Sequence, residues 1–321
     1  MVKLFSTSRR ARHSDSGSTT DSNLDMAKPK RPQTHDLREI RKRVLTAVAS
    51  DDLLVDILVL KGGNALELIH RIGERASLDL DFSMEADVAD ARDLEARLKR
   101  AVEDRLDSFA LVVFDWKFGP RPNSPQDAAA RWGGYRAVFK LIGRALFKDR
   151  GSDLDALRRQ SVEVGPEHQR IFQIHISKFE YCRGSVTAEV ESFGLQVYTP
   201  AMIAAEKLRA ICQQMPEYVQ RRNPAPRPRD FYDIHAIVTV AGVRLADEID
   251  LIKHMFDAKE VPYGLLALMS RERERRFHGQ EWAAVVQAVR GEVEPFEHYF
   301  DFVCSCVASL QSLWKVDAPL G

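Results

Sequence analysis

From Asp36 onward the apolar positions fall into clear periods. Leu37, Ile40, Val44, Leu45 and Val48 recur at helical spacing, which predicts an amphipathic helix. Residues 54–60, LVDILVL, read as a strand that runs into Lys61-Gly62-Gly63. NALELIHRIG then predicts a helix that stops at Gly73, and residues 77–83, SLDLDFS, alternate as a short strand. A long charged helix is expected over about 89–106, followed by strands at 111–118, 135–142 and 171–177. This half reads as mixed α/β and ends near Val197.

Beyond it the pattern turns helical. Thr199-Pro200 is a helix start, with a Thr cap and Pro at the first position, and the helix is expected to run to about Gln214. Residues 223–228 are a proline-rich loop, and RDFYDIHAIVTVA opens the next helix at Arg229. Further helices are expected at 245–258, 262–274 and 282–314, the last broken near Pro295. Residues 1–34, rich in Ser, Thr, Arg, Lys and Asp, have too few aliphatics to offset their ordering entropy and read as a disordered basic and polar tail. Met26 opens the more ordinary sequence MAKPKRP, which marks the residues before it as an upstream extension. The expected organisation is therefore a tail (1–34), an α/β body (35–197) and a helical body (198–321).

Composition narrows the classes. The chain has 321 residues, 45% hydrophobic and 29% charged, with a formal net charge of zero. These values exclude a wholly disordered or collagen-like chain. A neutral total leaves room only for local basic patches as nucleic-acid contacts. No apolar run approaches the about 20 residues that span a bilayer, and the N-terminus lacks the apolar core of a secretory signal, so a cytoplasmic setting is expected. Cys182, Cys212, Cys304 and Cys306 show no zinc spacing, and the last two read as small residues of an apolar helix.

Candidate chemistry is concentrated between Lys61 and Ser83. Two glycines at a strand end let backbone N–H groups approach an anion, and the following helix start adds partial positive charge; many such turns bind nothing. On a strand, Asp79 and Asp81 share one face while Leu80 and Phe82 take the other. Paired like charges are most easily held by a divalent cation, or they are surface acids on an edge. Together, an anion cradle beside a metal site suits nucleotidyl transfer. Lys207 falls within the apolar stripe of its helix, Ile203, Ala204, Leu208 and Ile211, either as a placed cation or as a snorkelling one. Asp230 and Asp233 share a helical face, Asp230 alternatively serving as a cap.

The order Lys61-Gly62-Gly63 … Asp79-Leu80-Asp81-Phe82-Ser83, then Glu206-Lys207-Leu208-Arg209-Ala210, then Arg229-Asp230-Phe231-Tyr232-Asp233, resembles the AbiEii-type toxin nucleotidyltransferases of the DNA polymerase β-like superfamily. The resemblance implies an α/β (α+β) nucleotidyltransferase domain with a mixed sheet, followed by a helical domain that contributes Lys and Asp to the active site. It implies Asp79, Asp81, Lys207 and Asp230 as catalytic, with Mg²⁺ on Asp79 and Asp81. It implies Lys61, Gly62, Gly63, Asn64, Lys207 and Asp233 around an NTP, although the family commonly has a small hydroxyl residue where Asn64 stands. It further implies an RNA acceptor such as a tRNA 3′ end, an antitoxin partner and a toxin or phage-defence role. The third carboxylate of the superfamily would fall on residues 171–177, which offer Gln173 and His175; Glu180, Glu189 and Glu191 are acidic alternatives. Arg131, Arg136, Lys140, Arg144, Lys148 and Arg150, interleaved with Trp132 and Tyr135, suit unpaired bases or form a solvated strand face.

Overall fold

A computed structural model describes residues 36–315, except 74–76, 78, 123–131, 152, 166–167 and 221–222. The N-terminal tail and Arg131 thus lie outside the described residues. Helix α1 (Leu37–Ala49) starts at Asp36, whose carboxylate accepts from the Arg38 N–H, and buries the predicted stripe. The expected strand at 54–60 divides into two elements. Asp51 accepts from the N–H groups of Leu53 and Leu54, so Asp52–Ile57 winds as helix α2. Only Val59–Lys61 remains as strand β1. The Asn/Asp/Ser class of cap outweighs a short apolar run because it satisfies two otherwise orphaned donors.

Gly62–Asn64 forms the helical turn α3, which continues as a π-helical segment, Ala65–His70, and ends at the left-handed Arg71. Strand β2 is Leu80–Ser83, so Asp79 stands in the bend just before it rather than within it. Helix α4 (Ala91–Asp107) and strands β3 (Leu111–Arg121), β4 (Gly134–Gly143) and β5 (Phe172–Ser177) lie where the periodicity places them. Helices α5 (Arg144–Arg150) and α6 (Leu154–Gln160) connect β4 to β5, and a hairpin of β6 (Val186–Val190) and β7 (Phe193–Val197) closes this half. That hairpin has no strong apolar alternation, and Glu191 and Ser192 turn it with positive φ.

The seven strands form one mixed sheet in the order β3-β4-β5-β2-β1-β7-β6. The central strands fix the site. β1 and β2 are antiparallel with Lys61 opposite Asp81, and β2 and β5 are parallel with Asp81 opposite His175. Leu80 and Phe82 are fully buried, each worth about 1.5–3 kcal/mol of transfer free energy. Burying them turns Asp81 to the other face.

Thr199 caps α7 (Pro200–Cys212), and α8 (Pro228–Ala241) follows the proline-rich loop. The remaining helices are α9 (Ile249–Asp257), α10 (Glu272–Gly279), α11 (Trp282–Ala288) and α12 (Phe296–Ala308). The expected helix at 262–274 divides into a short turn at Tyr263–Leu268 and α10, while the break expected near Pro295 is present, with Pro295 immediately before α12. Cys304 and Cys306 sit half-buried in α12 as free thiols. One hydrophobic cluster runs from Ile40 through the sheet and α7 to Leu313, so sheet and helices share a core. No helix among the described residues is long and apolar enough to cross a membrane.

Candidate active site

The glycine bend and the second aspartate meet. Gly62 has φ +68°, and a Cβ built on it would lie 2.8 Å from Asp81 Oδ2. A side chain here would strain the backbone and strike the carboxylate, so only glycine lets the bend seat against it. Burial pushes the Asp81 carboxyl up to about 6. Lys61 pulls against that shift, Glu206 adds repulsion, and Lys207 and Arg227 pull back further.

Asp79 shares the cleft with Asp81 but is held differently. Its backbone carbonyl accepts from Asn64 Nδ2 at 2.6 Å, and its carboxylate stands 3.9 Å from His175 Nε2. Burial raises its pKa, His175 opposes the rise, and Asp81 adds to it. Burial lowers the His175 pKa, and Arg121 lies 3.4 Å from its Nδ1. A histidine therefore occupies the neighbouring-strand position at which the superfamily resemblance led one to expect a carboxylate.

The lysines named from sequence are both engaged by acids. Lys61 is buried, 2.6 Å from Glu206 and 3.6 Å from Glu180. Burial disfavours its charge, but these carboxylates outweigh burial and hold the ammonium above its usual range. Lys207 Nζ stands 2.7 Å from Asp230 and 2.7 Å from Asp233. Burial opposes ionisation of Asp230, yet Arg227 and Lys207 hold it well below the usual carboxylate range. Asp230 is thus more than a helix cap. It joins α7 to α8 behind Asp81.

A cleft of about 380 Å³ collects these groups. Lys61, Asp79, Asp81 and His175 line it with Arg121, Arg227, Trp132 and Tyr135. Lys207, Asp230 and Asp233 stand behind this lining. Asn64 is fully buried and is not among the residues lining the cleft; its side-chain amide is divided between Arg41 and the Asp79 carbonyl. The acidic alternatives also separate. Glu180 reaches the cleft but is tied to Arg209 at 2.8 Å, Lys61 and Lys259. Glu191 pairs with Arg105, and Glu189 is exposed on β6. Of the basic and aromatic stretch, Trp132 and Tyr135 reach the cleft, whereas Arg144 pairs with Asp107 and Arg150 with Asp149.

Sequence reasoning missed Arg227, Glu206 and Arg121. Arg227 caps α8, donates to Asp230 and faces the cleft. Its signal was present as an arginine immediately before the Pro-Arg-Asp helix start. Glu206 had a signal too, in its i, i+3 spacing to Arg209. Arg121 had none, because its role depends on where β3 ends.

Among the described residues no three His, Cys, Asp or Glu side chains form a ready metal cage. Two carboxylates with raised proton affinity, facing one cleft and repelling each other, still suit a hard divalent ion that keeps waters and takes substrate oxygens for its remaining positions. The donor set fits Mg²⁺ or Mn²⁺.

The mixed sheet brings two carboxylates and several cations to one cleft, with the Gly62 bend seated against Asp81, an arrangement of the kind that handles polyanionic ligands. A family model described as nucleotidyl transferase AbiEii toxin, type IV TA system, matches residues 43–303, and the chain belongs to that family. This bears out the resemblance read from the glycine and aspartate blocks. Two solved structures are similar. One, described as a provisional nucleotidyltransferase from H. pylori, is 15% identical over 90% of this chain and 99% of that one, with a TM-score of 0.47. The other, JHP933 from Helicobacter pylori, is 15% identical over 88% and 94%, with a TM-score of 0.45. No curated protein matches the chain.

Proposed function

We propose that the protein is a Mg²⁺-dependent nucleotidyltransferase that moves a nucleoside monophosphate from an NTP to an RNA 3′ end, a tRNA end in particular. It acts as the toxin of a toxin–antitoxin pair in the cytoplasm, with a neighbouring antitoxin as partner. The observation that carries the reading is the seating of the Gly62 bend against Asp81, with Asp79 and two cleft arginines alongside.

In this reading Asp79 and Asp81 hold the ion, which supplies charge neutralisation at the transferred phosphoryl group and the departing pyrophosphate. Arg227 and Arg121, which keep their charge at every working pH, face the triphosphate. Lys61 and Lys207 serve as fixed positive charges on either side of Asp81, oriented by Glu206 and by Asp230 and Asp233. Trp132 on the cleft wall is placed to stack an unpaired base, whereas Tyr135 is buried, its ring stacked on Phe118 and its hydroxyl donating to Asp87.

The test is to incubate the protein with Mg²⁺, total RNA and each labelled NTP in turn. Label on RNA that disappears with Asp81→Asn is the expected result. Label on protein instead would redirect the reading to a protein acceptor. RNA binding that is steep in salt but Mg²⁺-independent, with no transfer, would mark a binding protein that has lost catalysis.

A further inference from the structure

Asp79 is not held by the sheet. The ladder of β2 with β5 begins at Leu80, and its ladder with β1 spans residues 81–83. Asp79 also faces Asp81, whose charge repels it, and its carboxylate is 39% exposed. Outside both ladders, the chain at Asp79 depends on other contacts to fix it, while His175, Arg229 and Arg121 attract the carboxylate against the repulsion from Asp81.

A buried cluster behind the site supplies such contacts. Asn64 Nδ2 donates to the Asp79 carbonyl at 2.6 Å, and Arg41 donates to Asn64 Oδ1 at 2.8 Å. The Arg41 contact sets which way the Asn64 amide faces, leaving its N–H₂ for Asp79. The same guanidinium donates to the Ser77 carbonyl at 2.6 Å and to Glu67 at 2.6 and 3.1 Å. Arg41 comes from α1 and Glu67 from the segment after the glycine bend. One guanidinium thus ties α1 and that segment to the chain at Ser77, and through Asn64 to Asp79. Arg41 is 5% exposed and Asn64 fully buried, so neither reaches the cleft.

We propose that Arg41 and Asn64 are positioning residues that fix Asp79 for metal binding. The proposal rests on the reading of Asp79 and Asp81 as metal ligands. Outer partners of this kind are commonly worth 10–100-fold in metal affinity. A fixed bend also makes the ligand geometry independent of whether nucleotide is present.

The probe is Mn²⁺ binding to the full chain, followed by electron paramagnetic resonance, without nucleotide or acceptor. Asn64→Asp keeps an acceptor for Arg41 but removes the donor to the Asp79 carbonyl. Arg41→Lys keeps the charge beside Glu67 but loses the fork that reaches Asn64 and Ser77. Both variants should weaken Mn²⁺ binding about 10-fold or more, measured at a temperature where circular dichroism shows each variant still folded. In turnover both should lower kcat more than they raise KM for NTP. Wild-type Mn²⁺ affinity in a folded Asn64→Asp protein would overturn the proposal while leaving the ligand assignment intact. Should Arg41→Lys fail to fold, Asn64→Asp alone decides. No Mn²⁺ bound by the wild-type protein, or binding that survives Asp79→Ala, would instead remove the ligand assignment itself.

Discussion

Replacing Asp81 by Asn should make the metal-free protein more stable while abolishing transfer. Asn approximates the protonated carboxyl in size and removes the charge. The folded-state pKa is raised from 3.8 to about 6, chiefly by burial. Each tenfold change in proton affinity is worth about 1.4 kcal/mol, so ionised Asp81 costs the folded state about 3 kcal/mol at pH 8. The sign follows from the direction of the shift. The folded state holds this proton more tightly than the unfolded chain, so the associated stability is full below about pH 3.8 and is lost as pH rises through about 6. Urea unfolding in EDTA should therefore show the Asn variant ahead by up to about 3 kcal/mol at pH 8 and by roughly half of that at pH 5. Other titrating groups cancel in the difference between the two proteins. Adding Mn²⁺ at pH 8 should close the gap, because the ion stabilises only the protein that binds it. An Asn variant no more stable than wild type at pH 8, or a gap that does not shrink in acid, would refute the reasoning.

Gly62→Ala places a methyl 2.8 Å from Asp81 Oδ2 at φ +68°; it should cost about 1–3 kcal/mol by urea unfolding and weaken Mn²⁺ binding, and normal binding would count against the seating of the bend. Lys207→Met leaves Asp233 and part of Asp230 buried without their ammonium, and should destabilise by about 3–5 kcal/mol. A rise in KM for NTP with stability unchanged would instead make Lys207 a direct phosphate ligand. His278 is fully buried behind Arg227 and accepts its backbone N–H at Nδ1. Burial lowers the His278 pKa to about 4; the unfolded chain takes up the proton first, so stability is full above about pH 6.5 and falls toward pH 4. His278→Asn should flatten that acid limb of the stability–pH curve, and parallel curves for the two proteins would contradict it.

Much of this was legible in the sequence where the signal is local. The stripe of α1, the Thr199 cap of α7 and the alternation of β5 each report a face or an end, and they sit as read. The two aspartates were visible because acids stand out among Leu78, Leu80 and Phe82. What periodicity could not show was which partners the third dimension supplies. The run at 54–60 reads as one strand until Asp51 is seen to cap its first part as a helix. The pairing of Lys61 with Glu206 was not legible because its partner lies 145 residues away in the chain. That Arg41 orients the Asn64 amide was likewise hidden, because Arg41 lies 23 positions earlier on another helix.

The pairing of Lys61 with Asp81 across β1 and β2 has a consequence for how the chain tolerates change. Side chains alternate along a strand, so a slip of one residue in β2 would turn Leu80 and Phe82 toward the cleft and drive Asp81 into the apolar interior. Burial of those two hydrophobic residues and presentation of the acid to the cleft are thus a single requirement. A one-residue insertion or deletion within β2 cannot yield a folded but inactive protein by misalignment alone; it removes core and chemistry together.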